Sequence, residues 1–146
     1  MGAVVTGELL MDNSAWSHFR SRSVSQERLI DVAEAFRAGR VYTCLPFLLE
    51  AGYSARSGAD HQSLLTEFGA LPLAAIDTET EQLALDAQAQ LARTGHHRIP
   101  PVDIIIGAIA ARHGLGVLHY DADYDIIAAR TSLTFESIWL APRGSL

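Results

Sequence analysis

Short apolar runs alternate along this chain with longer segments of helical periodicity, and this alternation restricts the fold more than any other feature. Strands are predicted over residues 8–11, 40–43, 71–76, 116–120 and 134–140. Helices are predicted over residues 25–39, 45–56, 60–69, 78–95, 100–114 and 121–130. Strands that alternate with helices form βα units, which build a mostly parallel sheet with helices on both faces. The sequence therefore predicts a three-layer α/β fold with a mostly parallel central sheet.

Residues with strong preferences for helix ends support several of these helices. Ser25 is suited to the N-cap of the helix over 25–39, and Gly39 is suited to its end. Thr78 and Glu81 have the spacing of a capping box, and Gly95 stands just beyond the last turn of the helix that follows them.

The helix predicted over 100–114 is apolar on nearly all sides. Its sequence, PPVDIIIGAIAARHG, begins with two prolines and ends at Gly114. A helix without a polar face is typical of the buried centre of a domain. Gly107 lets a neighbouring element come close. Asp103 lies in the first turn, where free N–H groups and the helix dipole stabilise a carboxylate, so helix capping is one sufficient explanation for it.

Length and composition limit the class of protein. At 146 residues the chain has the size of one domain, which we place at 1–146. No apolar run reaches about 18 residues and the first residues lack a signal-peptide pattern, so we expect neither a membrane span nor a leader. The single cysteine, Cys44, lies among apolar residues and is predicted to be a small buried side chain in a reducing cytoplasm.

The formal net charge of −6 restricts the ways in which the chain can contact nucleic acid. A protein that holds nucleic acid with its whole surface needs a basic surface, and this chain is acidic. The charge remains compatible with a nuclease whose acidic cluster is neutralised by bound metal, and it also suits a basic partner.

Five carboxylates stand where this architecture brings polar side chains together. Ligands of parallel α/β sheets bind at the carboxyl ends of the strands. The candidates are Asp12 after the first strand, Glu50 in an apolar helical run, Asp103, and Asp121 and Asp123 after the strand over 116–120. Simpler roles are open to them, since Asp12 can begin a turn or cap a helix and Glu50 can face solvent. Ser14 can hydrogen-bond a carboxylate or a water, or can itself cap a helix.

The segment DADYD, residues 121–125, begins like a calcium-binding loop. Such a loop needs carboxylates at positions 1, 3 and 5, glycine at position 6 and glutamate at position 12. Counted from Asp121, the last two positions hold Ile126 and Ser132. The pattern fails twice and is excluded. Asp125 is predicted to lie in the first turn of the next helix, where it faces solvent or the helix dipole.

Carboxylates gathered at one end of a sheet repel one another unless a positive charge lies among them. Magnesium and manganese are hard cations that prefer oxygen ligands. In phosphodiester hydrolysis such ions activate a water nucleophile and stabilise the leaving oxygen. The combination of acids therefore favours a metal-dependent nuclease.

Four motifs, in this order and spacing, resemble the PIN-domain family: LLMDNSAW, LLEAG, IPPVDIIIGAIAARHG and VLHYDADYDIIA. Within that family the chain looks most like the VapC toxins of bacterial VapBC toxin–antitoxin pairs. The resemblance implies a Mg²⁺- or Mn²⁺-dependent endoribonuclease that cuts transfer RNA or ribosomal RNA. It also implies a homodimer, and inhibition by a cognate VapB-like antitoxin whose basic tail enters the acidic groove.

The same resemblance implies the residues of the site. The acidic residues of the family correspond to Asp12, Glu50, Asp103 and Asp121, with Asp123 as an auxiliary ligand and Ser14 as an auxiliary hydroxyl. Asp12 and Asp103 would be the main metal ligands, and the fourth ligand is Asp121 or Asp123. Many relatives carry threonine or serine where this chain has His119, which is interpreted as a buried strand residue or a substrate contact.

Two other functions remain open. A PIN-like fold can act as a binding module with weak catalysis, although all four acids are present here. A phosphatase with an aspartate nucleophile needs a D-x-D motif just after the first strand, where this chain has Ser14 in place of the second aspartate. Metal-dependent cleavage without a trapped phospho-aspartate would distinguish the nuclease from the phosphatase.

Overall fold

Four parallel strands form the central sheet of the structure, a computed structural model that describes residues 5–146. The strands are β1 (Leu9–Met11), β2 (Val41–Tyr42), β3 (Gly116–His119) and β4 (Ser137–Trp139). Their order is β2-β1-β3-β4, and every neighbouring pair is parallel. Leu10, in a central strand, pairs with Tyr42 on one side and Val117 on the other.

Seven helices within residues 5–146 accompany this sheet in a three-layer α/β arrangement, which confirms the predicted fold class. They are α1 (Asn13–His18), α2 (Gln26–Arg37), α3 (Leu45–Tyr53), α4 (Gly58–Phe68), α5 (Thr78–Arg93), α6 (Pro101–His113) and α7 (Asp123–Arg130). In this part of the chain, no helix is both long enough and apolar enough to span a bilayer.

Helix α6 is the buried helix that the sequence predicts. It contacts β1, β3, α3, α5 and α7, and its buried side chains include Ile104, Ile106 and Ile109. Gly107 permits the close approach of α7, because a Cβ atom there would lie 3.3 Å from Cγ2 of Ile127. The apolar sequence of α6 is thus explained by neighbours on several sides.

Most of the predicted helix ends are confirmed, and one capping box is shifted. The Ser25 side chain caps α2, and Gly95 follows α5 with a φ of 83°. The box predicted from Thr78 and Glu81 is wrong: Asp77 is the N-cap of α5, and it pairs reciprocally with Thr80. Aspartate is a strong N-cap residue and takes this position one residue earlier than the prediction.

The strand predicted over 71–76 is wrong. Only an isolated bridge forms there, between Leu73 and Thr43. Pro72 has no N–H to donate to a ladder, and it contributes only its carbonyl, which accepts a hydrogen bond from the Thr43 N–H at 2.9 Å. Leu73 is 57% exposed and Ala74 is buried, so this segment contacts the core without forming a strand.

Helix α1 follows β1, and Cys44 lies just after β2. Helix α1 was not predicted; it begins directly after Asp12, whose carboxylate accepts from the Ser14 N–H. Cys44 is fully buried, as predicted, and burial raises the pKa of its thiol to about 12. A thiol with such a pKa is not a nucleophile near neutral pH.

The left-handed residue that ends α6 generates a stability prediction. Gly114 has a φ of 69°, and no atom lies within 4 Å of a Cβ built there, so the cost of Gly114→Ala is a backbone cost alone. We expect Gly114→Ala to lower the free energy of unfolding by about 1 kcal/mol. Urea denaturation measures this change.

Gly58→Ala is the matched control. Gly58 opens α4 without a positive φ, and it also has open space around its Cβ position. Alanine there lowers the entropy of the unfolded chain, so stability is expected to stay equal or to rise by about 0.5 kcal/mol. Equal losses in the two variants would contradict the left-handed cap.

Candidate active site

The site lies where the central strands β1 and β3 end. The Asp12 N–H donates to the Leu118 carbonyl at 2.9 Å, which fixes Asp12 level with the end of β3. Asp12 is buried, with 5% of its surface exposed. Its carboxylate therefore needs hydrogen-bond donors or a positive charge within the protein.

Ser14 supplies two of these donors. Oδ2 of Asp12 accepts from the Ser14 N–H at 3.0 Å and from the Ser14 hydroxyl at 2.6 Å. The same hydroxyl oxygen accepts from the Tyr120 N–H at 2.9 Å. Of the roles left open for Ser14, the structure shows the contact with a carboxylate, while Asp12 is the residue that caps α1. Ser14 also ties the start of α1 to the chain that follows β3.

Three carboxylates meet beside this point. Among residues 5–146, oxygens of Asp103, Asp121 and Asp123 lie within 4.8 Å of one another, a spacing that suits one metal ion. Asp103 comes from the first turn of α6, Asp121 follows β3, and Asp123 opens α7. Oδ1 of Asp121 accepts from the Asp123 N–H at 2.9 Å, so the two neighbouring acids hold each other in place.

The pKa values of two carboxyl groups in this trio are raised. Burial, followed by the charges of Asp12, Asp121 and Asp123, raises the pKa of Asp103 to about 7. Burial and the charge of Asp121 also raise the pKa of Asp123. Raised pKa values of this kind show that no positively charged group of residues 5–146 lies close enough to stabilise the ionised carboxylates. Because the donors are all carboxylate oxygens, the trio fits a hard divalent cation such as Mg²⁺ or Mn²⁺.

Glu50 lies on α3, close enough to Asp12 for the two charges to interact. It is half-buried, and burial followed by the charge of Asp12 raises the pKa of its carboxyl group. The close trio contains neither Glu50 nor Asp12. The structure thus brings Asp103, Asp121 and Asp123 together, with Asp12 linked to Asp103 through Tyr124 and Glu50 near Asp12.

Tyr124 connects Asp12 to the trio, a role that the sequence did not predict. Its hydroxyl donates to Oδ1 of Asp12 at 2.7 Å and lies 3.3 Å from Oδ1 of Asp103. Tyr124 is fully buried, and burial followed by the charges of Asp12 and Asp103 raises the pKa of its phenol well above 10. The hydroxyl therefore remains a donor. A tyrosine next to Asp123 on the apolar face of a helix was the available signal, because a buried hydroxyl needs a partner.

His119 is a buried strand residue, the first of the two alternatives that the sequence left open. Its Nδ1 accepts from the Asp121 N–H at 3.1 Å, and its Nε2 therefore donates to the Ser137 hydroxyl oxygen at 2.7 Å. Burial lowers the pKa of His119 to about 4, so the ring is neutral at physiological pH. With no exposed surface, His119 supports the backbone of Asp121 and does not contact substrate.

Asp125 lies in the first turn of α7, as predicted. Its hydrogen-bond partners were not predicted. Oδ1 accepts from the Ser137 hydroxyl at 2.6 Å, and Oδ2 accepts from the Trp139 indole N–H at 2.9 Å. Asp125 is exposed, as predicted, and these two hydrogen bonds are a further role that the sequence did not predict. Asp125 joins α7 to β4, and through Ser137 it continues the hydrogen-bond chain that begins at His119.

Comparisons with known proteins agree with this architecture. The family model described as PIN domain matches residues 9–130. The chain is 35% identical over 139 residues to Ribonuclease VapC18 of Mycobacterium tuberculosis, which covers 93% of this chain and 97% of that protein. It is 38% identical over 98 residues to Ribonuclease VapC51 of the same organism, covering 67% of this chain and 70% of that protein.

Solved structures share the fold. The DNA-bound VapBC complex of Salmonella typhimurium contains a chain with a TM-score of 0.68 at 18% identity, covering 93% of this chain and all of that one. VapBC-5 of Mycobacterium tuberculosis gives a TM-score of 0.65 at 19% identity, covering 91% of this chain and all of its counterpart. With the family match and the 35% identity to a full-length relative, these likenesses lead to one conclusion: the chain belongs to the PIN-domain family, and its relatives there include VapC ribonucleases.

Proposed function

We propose that this chain is a metal-dependent endoribonuclease and the toxin of a VapBC-type toxin–antitoxin pair, acting in the cytoplasm as one domain over 1–146. It would hydrolyse phosphodiester bonds of transfer or ribosomal RNA. The observation that carries the proposal is the carboxylate trio of Asp103, Asp121 and Asp123, held beside Asp12 at the end of a parallel sheet. Relatives named ribonucleases support the same activity.

The chain's own residues have distinct parts in this proposal. Asp103, Asp121 and Asp123 would hold a Mg²⁺ or Mn²⁺ ion, and Asp12 would complete the set. Such an ion, when bound, lowers the pKa of water and stabilises developing charge on phosphate oxygens. Ser14 orients Asp12. Glu50 is half-buried and has a raised pKa, so it is suited to take a proton from water at its carboxylate oxygen.

Two surfaces support the proposed partners. Helix α3 exposes an apolar row one turn apart, with Leu45 53%, Leu49 64% and Tyr53 93% exposed, which suits a homodimer contact. A groove near α1, α2 and α4 is lined by residues that include Trp16, Phe36, Leu64 and Phe68, which suits an apolar segment of a VapB-like antitoxin. The net charge of −6 suits the basic tail expected of that antitoxin.

The alternative functions are less well supported. A phosphatase would need Asp12 as an accessible nucleophile, but that carboxylate is buried and held by hydrogen bonds from Ser14 and Tyr124. A binding module with weak catalysis would keep the same fold and the same acids. Cleavage assays distinguish it from the nuclease.

Asp103→Asn tests the nuclease. Asparagine preserves the shape of the side chain but is a poor ligand for a hard cation. We expect Mg²⁺-dependent cleavage of total cellular RNA to fall at least about 100-fold, since even the outer partners of metal ligands are worth about 10–100-fold. Glu27→Gln, in the first turn of α2, is the matched control and should cleave like the wild type. A wild type that cuts nothing with either metal would instead favour the binding module.

The raised pKa of Asp103 generates a pH prediction for the metal-free protein. Its carboxyl holds the proton more tightly in the folded chain, with a pKa of about 7 against an ordinary 3.8. The stabilisation from this proton is complete below about pH 4 and is lost as the pH rises through about 7. Asparagine carries no charge at any pH.

In EDTA, the melting temperature of Asp103→Asn should therefore exceed that of the wild type at pH 8, and the difference should shrink towards pH 4. Added Mg²⁺ should raise the wild-type melting temperature more than that of the variant. A difference that stays constant across this pH range would contradict the buried, charge-repelled environment of Asp103.

A further inference from the structure

We infer that Tyr124 is a positioning residue of the acidic site: its hydroxyl holds the Asp12 carboxylate so that a single acceptor position, on Oδ1, remains for a divalent cation. This inference rests on the proposed function, because it assigns a role to a side chain within the same site. It adds a second neutral residue, beside Ser14, to a site that the sequence otherwise defines by its acids.

The hydrogen bonds of Asp12 carry the first step. Each carboxylate oxygen offers about two lone pairs. Oδ2 accepts from both the N–H and the hydroxyl of Ser14, so its acceptor capacity is filled. Among residues 5–146, Oδ1 accepts only from the Tyr124 hydroxyl, so one lone pair is left on that oxygen. Asp12 can therefore approach a cation through one oxygen, in an orientation that three donors determine.

The burial of Tyr124 carries the second step. The side chain has no exposed surface, and its ring packs against the His119 ring with centroids 4.9 Å apart. His119 is itself held by Ser137 and by the Asp121 backbone. The side chain is enclosed by protein, and the ring cannot move without disturbing His119. The hydroxyl is thus a fixed donor and not one of several exchangeable partners.

The position of Tyr124 in the chain carries the third step. Asp123 and Tyr124 are the first two residues of α7. The first contributes a carboxylate to the trio, and the second directs its hydroxyl to Asp12, 112 residues earlier in the chain. The first turn of α7 therefore sets the distance between Asp12 and the trio. A hydroxyl that is 2.7 Å from Asp12 and 3.3 Å from Asp103 links the two without adding charge.

Tyr124→Phe removes only this hydroxyl, and the measurement is Mn²⁺ affinity by isothermal titration calorimetry on the full chain. We expect the dissociation constant for Mn²⁺ to rise about tenfold, the usual effect of losing a partner that orients a metal ligand. Circular dichroism and melting in EDTA check that the variant is folded. Ile127→Val is the matched control, because Ile127 is buried on the same helix and loses one methyl group there.

The outcomes separate this inference from the proposed function. Wild type that binds no Mn²⁺ would overturn the metal site and the role of Tyr124 with it. Wild type that binds, with Tyr124→Phe binding equally well, would overturn the role of Tyr124 and leave the nuclease standing. An equal loss of affinity in Ile127→Val would show general loosening of α7, and it would also overturn the inference.

A second comparison tests whether the hydroxyl acts through Asp12. Asp12→Asn keeps a side chain that can cap α1. In that background, adding Tyr124→Phe should change the Mn²⁺ dissociation constant by less than about twofold, since the charge that the hydroxyl orients is already gone. A further loss of about tenfold in the double variant would show that Tyr124 acts on another ligand, which contradicts the role stated here.

Discussion

The parallel pairing of β1 with β3 is the interaction on which the acidic site depends. Because both strands end at the same edge, residues far apart in sequence leave the sheet side by side. The contact from the Asp12 N–H to Leu118, and the contact from the Tyr120 N–H to Ser14, extend this pairing beyond the last ladder residues. The position of Asp12 relative to Asp121 is thus a property of the sheet and not of a flexible loop.

Placing several carboxylates at one edge of the sheet makes them repel one another. The fold compensates for this repulsion in a different way at each carboxylate. Asp12 is satisfied by neutral donors, two from Ser14 and one from Tyr124. Asp103 sits at the N-terminal turn of α6, whose dipole favours negative charge, yet burial and its neighbours still raise its pKa to about 7. The fold therefore gives Asp12 three neutral donors, whereas Asp103 remains in surroundings that favour its protonated form.

The sequence predicts those residues of the site whose positions depend on the order of strands and helices. It does not predict those whose roles depend on how the helices pack. Alternating strands and helices were enough to place Asp12 and Asp121 at one edge, since parallel sheets always gather their carboxyl ends. The strand over 71–76 was mispredicted because Pro72 removes a ladder donor that an apolar pattern does not record. Tyr124 was missed because only the docked orientation of α7 shows which way its hydroxyl points.

The short outer strands of the sheet have a consequence for how the chain meets other molecules. β2 has two residues and β4 has three, so these edges offer few unpaired backbone groups to an incoming strand. Trp139 and Ser137 of β4 further direct their side-chain donors to Asp125 and not outwards. Growth of the sheet by strand addition is thereby disfavoured, which protects the chain from edge-to-edge aggregation and leaves its helical surfaces for association.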